Sequence, residues 1–169
     1  MNNNFLEIDE MKSVLYSYQL EEISEGDSEI IQDGIDAAIE EVKSYFFASN
    51  NRREVLNLTA QQYANYKIYD VEAIFSTTGQ ARNQFILRLC KRIAAYNICE
   101  LANVDVRYDQ VKESYAGVIK TLERIAGFTD GGQLVISALP SLQPEPPDGN
   151  EEATAPFRMG SRPKFTHDF

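Results

Sequence analysis

Residues 84–102, QFILRLCKRIAAYNICELA, decide the fold. Read as a helix, the stretch is apolar on nearly every side, broken mainly by Arg88, Lys91, Arg92, Asn97 and Glu100. A helix of that kind must be covered from several directions, so it is predicted to be the central element of a helical bundle. Its two cysteines, Cys90 and Cys99, are the only ones in the chain. At 1.5 Å per residue their nine-residue separation is roughly 13 Å, too far for a disulfide. They read as small buried apolar residues of a reducing compartment.

The partners of the central helix lie on either side in sequence. Downstream, Tyr108, Val111, Tyr115, Val118, Ile119, Leu122, Ile125 and Ala126 keep one apolar face, which predicts a helix over 106–126 with Asp105 capping its start and Gly127 just past its end. Upstream, Ile31, Ile35, Ala38, Ile39, Val42 and Phe46 recur at steps of three or four. They predict a helix over 27–48, ended by SNNRR, with Gly34 a weak point worth roughly 1 kcal/mol against Ala. A short helix is expected over Asp9–Leu20, with Met11, Leu15 and Tyr18 on one side, and then a turn at SEGD. Residues 50–83 show no clean period, and one or two helical turns are expected there. STTGQARN reads as a loop with Asn83 as a helix cap, and GGQLVISALP as a short extended segment. The expected fold is mainly α: a small helical bundle, central helix 84–102 packed by 27–48 and 106–126, with an extended C-terminal tail.

The chain has 169 residues, enough for one domain with a sizeable core. All six prolines lie at or after Pro140. That shift divides the chain into a helical body, 1–142, a linker, 143–155, and a tail, 156–169. The net charge of −10 is unevenly spread. The body carries 13 basic and 21 acidic side chains; the linker carries only Glu145, Asp148, Glu151 and Glu152; the tail carries Arg158, Arg162 and Lys164 against Asp168. Such a balance argues against wrapping nucleic acid over the whole surface, which requires clustered cations. The N-terminal residues lack a basic region followed by an apolar run, and no stretch approaches the roughly 20 apolar residues of a membrane span, so a cytosolic site of synthesis is expected.

No catalytic constellation emerges, and no enzyme, cofactor or metal is expected. His167 is the only histidine. The cysteines lack metal-ligand spacing, and no dinucleotide or P-loop glycine motif occurs. TTGQARN has the form of an anion-binding loop before a helix, but reads better as a helix-entry turn with Arg82 in a surface salt bridge. Glu40 with Glu41, and Asp105 with Asp109, read as solvated carboxylates. Arg88, Lys91 and Arg92 share one helix face. They are either a solvated stripe or a basic patch for an acidic neighbour in an assembly. The tail admits a similar pair of readings, a disordered end or a docking arm. Phe157, Met159, Phe165 and Phe169 are too apolar for a purely solvating segment. Pro156 and Pro163 lower the entropy lost on docking. The docking reading takes Phe157, Arg158, Met159, Arg162, Pro163, Lys164, Phe165 and Phe169, with Arg88, Lys91 and Arg92, as partner-binding residues.

YDVEAIFSTTGQARNQFILRLCKRIAAYNI, Tyr69–Ile98, resembles the core block of Mu-like phage neck proteins, in the form carried by prophages of Bacteroidetes-type bacteria. The matching pairs are Tyr69-Asp70, Ile74-Phe75, Thr78-Gly79, Arg82-Asn83 and Ala95-Tyr96. RYDQVKESYAGVIKTLERIAGF, Arg107–Phe128, is similar to the helix that follows in that family, and MGSRPKF to its short terminal motif. This chain has Gln84 where that block has Pro, and no Trp near 116–119. The resemblance implies a helical head–tail connector, also called an adaptor or head-completion protein, that forms a ring below the portal of a tailed bacteriophage. Its implied partners are the portal protein, neighbouring copies, and tail or lower-neck proteins, with DNA met only incidentally in the channel and no membrane. The implied location is the virion neck, after synthesis in the bacterial cytoplasm. The alternative is a non-viral helical interaction adaptor whose C-terminal end is a recognition peptide.

Overall fold

The computed structural model describes residues 5–55, 67–101, 108–129 and 132–142; the readings placed on Asp105 and on 143–169 lie outside them. Among the described residues the chain is mainly helical and forms no strand. The helices are α1 (Ser17–Ser24), α2 (Ser28–Val55), α3 (Val71–Phe75), α4 (Gln84–Leu101) and α5 (Tyr108–Ala126), with 3-10 turns at Ile8–Ser13 and Gly79–Ala81.

The core is a three-helix packing in which α2, α4 and α5 each touch the other two. As expected, α4 is the most enclosed of them. It buries nine side chains, among them Ile86, Leu89, Cys90, Ile93 and Ile98. Both cysteines are buried and free, and burial pushes their thiols above the ordinary range. From α2 come Ile35, Ala38, Ile39, Val42 and Phe46, and from α5 Val118, Leu122 and Ile125. These are the stripes legible in the sequence. The ends are equally regular. Asn83 caps α4, its Oδ1 accepting from the N–H groups of Phe85 (3.0 Å) and Ile86 (3.2 Å). Gly127, at φ 74°, closes α5: its own N–H donates to Arg124 O and the Phe128 N–H to Glu123 O.

Three expectations need correction. First, α2 does not stop near residue 48 but continues to Val55. SNNRR reads as a terminus because it is polar, yet its first two side chains are used inside the fold. Ser49 is buried and its hydroxyl donates to Ile125 O. Asn50 clamps Tyr69, donating to its carbonyl (2.8 Å) and accepting from its N–H (2.9 Å). Second, Asp9–Leu20 is not one helix. The 3-10 turn ends near Val14, Tyr16 is extended, and α1 begins at Ser17. The break occurs where Gln19 reaches back to accept from the Tyr16 N–H. Leu15 still turns inward, but Tyr18 is 61% exposed. Third, Gly34 is more than a propensity defect. A Cβ there would sit 2.7 Å from Ile98 Cγ1, so the glycine is what lets α2 and α4 cross so closely.

Residues 132–142 form no strand but fold back on 67–70. Gln133 donates to Lys67 O and accepts from the Lys67 N–H. The Lys67 ammonium donates to the carbonyls of Ile136, Ser137 and Leu139. Leu142 and Asp70 complete the pairing by donating to Ile68 O and Pro140 O. The N-terminal end is equally integrated. Phe5 and Leu6 are buried, and the Phe5 ring lies 4.8 Å from that of Phe75.

Candidate functional site

Arg88, Lys91 and Arg92 do share a face, and the fold places a groove beside it. Four elements enclose the groove: the turn at Ser13–Tyr16, α1, the N-terminal half of α4, and the N-terminal part of α5. Its volume is about 620 Å³. The floor is apolar, supplied by Leu15, Ile23, Leu87 and Ala95, all buried. The rim is polar and aromatic. Gln19 and Gln84 contribute amides, Gln110 and Ser114 face from α5, and Tyr16 is 59% exposed.

Local sequence explains each wall. The extended backbone at Tyr16 interrupts the two N-terminal turns and turns that ring outward, where it stacks on Tyr18 at 5.7 Å. The four-residue step from Arg88 to Arg92 is about one helical turn, which puts both residues on the same face of α4, lining the groove. Arg88 lies 5.6 Å over the Phe85 ring, a cation–π contact within α4. Lys91 is half-buried and donates to Ser13 Oγ at 3.2 Å, tying α4 to the N-terminal turn.

Electrostatically the groove is unlike the rest of the body. Among its described lining residues there are three cations and no Asp or Glu, on a chain of net charge −10. The charge of Lys91 is felt by Glu10. Its ionised form is held first by hydrogen bonds from Arg82, and to a lesser degree by the field of Lys91, so its carboxyl lies below the usual range.

Arg82 itself corrects the reading of TTGQARN. It is not a surface residue but is 9% exposed. Its guanidinium grips Glu10 bidentately, Nη1 to Oε2 at 2.6 Å and Nη2 to Oε1 at 2.8 Å. It also donates to Phe5 O and Gly79 O. Glu10 is 72 residues away in sequence, so no local pattern announces the pair. Glu41 is likewise not fully solvated, since it accepts from Tyr115 Oη at 2.8 Å. Tyr115 stacks on Tyr96 at 4.2 Å, and burial followed by the Glu41 contact pushes its phenol upward.

The remaining partner-binding residues of the sequence reading, Phe157, Arg158, Met159, Arg162, Pro163, Lys164, Phe165 and Phe169, lie outside the described residues. Sequence reading misses Tyr16, because the helix expected over Asp9–Leu20 leaves it off the side formed by Met11, Leu15 and Tyr18, and only the break before α1 turns it toward the groove. Among the described residues no group of three or more His, Cys, Asp or Glu is placed to hold a metal ion. No described helix is long and apolar enough to cross a membrane. No family model, curated protein or solved structure matches the chain.

Proposed function

We propose that this chain is a structural subunit of a tailed bacteriophage, a head–tail connector that joins portal to tail or lower neck through subunit–subunit contacts. The observation that carries an assembly role is the groove: an apolar floor under a rim of cations and an exposed tyrosine, on an otherwise acidic body. Tyr and Arg around an apolar centre are the residue types that dominate protein interfaces. The resemblance of Tyr69–Ile98 to phage neck proteins supplies the particular assembly. Four of its paired residues have structural work at junctions. Tyr69 is wholly buried, Asp70 caps α3 by accepting from the Ala73 N–H, Arg82 pins the N-terminal turn, and Asn83 caps α4. On this reading the chain meets the portal, neighbouring copies in a ring, and tail or lower-neck proteins, with DNA only passing through the channel.

Residues 156–169 then serve as a docking arm. Phe157, Met159, Phe165 and Phe169 fill apolar pockets of a neighbouring chain, Pro163 stiffens the segment, and Arg158, Arg162 and Lys164 meet carboxylates. Deleting 156–169 in the phage that carries this chain tests the role. Unjoined heads and tails, seen by negative-stain microscopy, are the expected result. Intact infectious particles at wild-type titre would count against the arm.

A further inference from the structure

The groove and the linker are complementary in charge. The described groove lining holds Arg88, Lys91 and Arg92 and no carboxylate. Residues 143–155 hold Glu145, Asp148, Glu151 and Glu152 and no cation. Pro144, Pro146, Pro147 and the linker's lack of helix-forming runs favour an extended chain, which loses little entropy on binding. The basic tail 156–169 is the wrong charge for this site. We propose that the groove of one copy binds the acidic segment 143–155 of a second copy.

The connector reading, in which copies meet in a ring, selects the second copy over the same molecule. The described chain leaves the bundle at Leu142, which is tied to Ile68. That is the end where α5 finishes, because Ser49 and Gln133 link Ile125 to Lys67. The groove runs from Gln84 and Arg88 on α4 to Gln110–Ser114 near the start of α5. Ser114 and Ile125 are separated by about 16 Å along the helix axis. Glu145, three residues past Leu142, reaches about 10 Å at full extension, short of the Gln110–Ser114 end, whereas Asp148, Glu151 and Glu152 have the reach, so a contact within one molecule would leave Glu145 out. In a neighbour, all four carboxylates can line up with the rim. A contact that joins one end of a subunit to the other end of the next is heterologous, and such contacts close into rings when the rotation allows. Only the choice of a second copy as occupant deepens, and rests on, the connector reading.

The test uses the purified full chain and a fluorescein-labelled synthetic peptide of residues 143–155, followed by anisotropy. Saturable binding is expected, weakening as salt rises. The double variant R88E/R92E is expected to weaken it about tenfold, as two attractions become repulsions. R124E, outside the groove, should leave it unchanged. A peptide with Gln at positions 145, 148, 151 and 152 should not bind, and this arm needs no protein variant to fold. To identify the donor copy, Tyr16 is replaced by a photo-crosslinking phenylalanine in a light-isotope chain, which is mixed with excess heavy-isotope wild-type chain. Links from light residue 16 to the heavy 143–155 segment are expected. No binding of the native peptide, equal binding of the Gln peptide, displacement by a short DNA duplex at lower concentration, or only light-to-light links would each overturn the proposal. No particle enters the assay, so its failure is distinct from a failure of the connector reading.

Discussion

Arg82 shows how one side chain can organise an otherwise weak segment. Besides its 3-10 hydrogen bonds, the N-terminal turn Ile8–Ser13 has short local contacts: the Glu7 N–H to Glu10, the Ser13 hydroxyl to Glu10 O, and the exposed Asp9–Lys12 ion pair. What holds it is the two-pronged Glu10 contact and the Arg82 bond to Phe5 O, backed by the burial of Phe5, Leu6 and Met11. Removing the guanidinium by R82M leaves Glu10 and two carbonyls short of partners. It should destabilise the chain by about 3 kcal/mol, the low end for a broken buried pair because Glu10 keeps some exposure. Urea denaturation followed by circular dichroism measures this, and a loss below about 1 kcal/mol would show that the pair is dispensable. The pair also sets a pH dependence. Because the Glu10 carboxyl is lowered in the folded chain, first by Arg82, its contribution is fully present above the ordinary glutamate range. It is lost as pH falls below about 4.3 and through the folded value. E10Q should therefore be less stable than wild type at pH 7, with the gap closing on the acid side. A gap independent of pH would contradict the charge-assisted origin.

Among the elements, the three long helices were legible and their junctions were not. Hydrophobic periodicity reports which face of a helix is covered, so the stripes of α2, α4 and α5 follow from Ile35, Ile39, Leu89, Ile93, Val118 and Leu122 alone. It does not report polar side chains that replace backbone partners. Ser49, Asn50, Lys67 and Gln133 work in this way, with partners 19 to 84 residues distant, and the extension of α2 went unread for that reason. The groove was half legible: the spacing of Arg88, Lys91 and Arg92 gives a basic face, but the opposing wall at Tyr16 needs tertiary structure. Two substitutions test the packing. L89A, at a buried position of α4, should cost roughly 2–5 kcal/mol. G34A should lose about 1 kcal/mol net, since crowding against Ile98 outweighs the roughly 1 kcal/mol gained in helix propensity. A stabilised G34A would mean that the α2–α4 crossing is looser than described.

At the scale of the whole molecule, charge is sorted along the chain: an acidic body bearing one cation-lined groove, an acidic proline-rich segment, then a basic aromatic end. On the connector proposal, copies arranged in a ring satisfy that sorting between neighbours. The most direct test of the proposed connector role is cryo-electron microscopy of phage particles purified from cells that express this chain, with mass spectrometry of the same preparation. The account predicts that the chain is present in the particles, and that the α2–α4–α5 bundle fits a ring of density between portal and tail. Particles that lack the chain, or a neck ring whose density is filled by another protein, would contradict it.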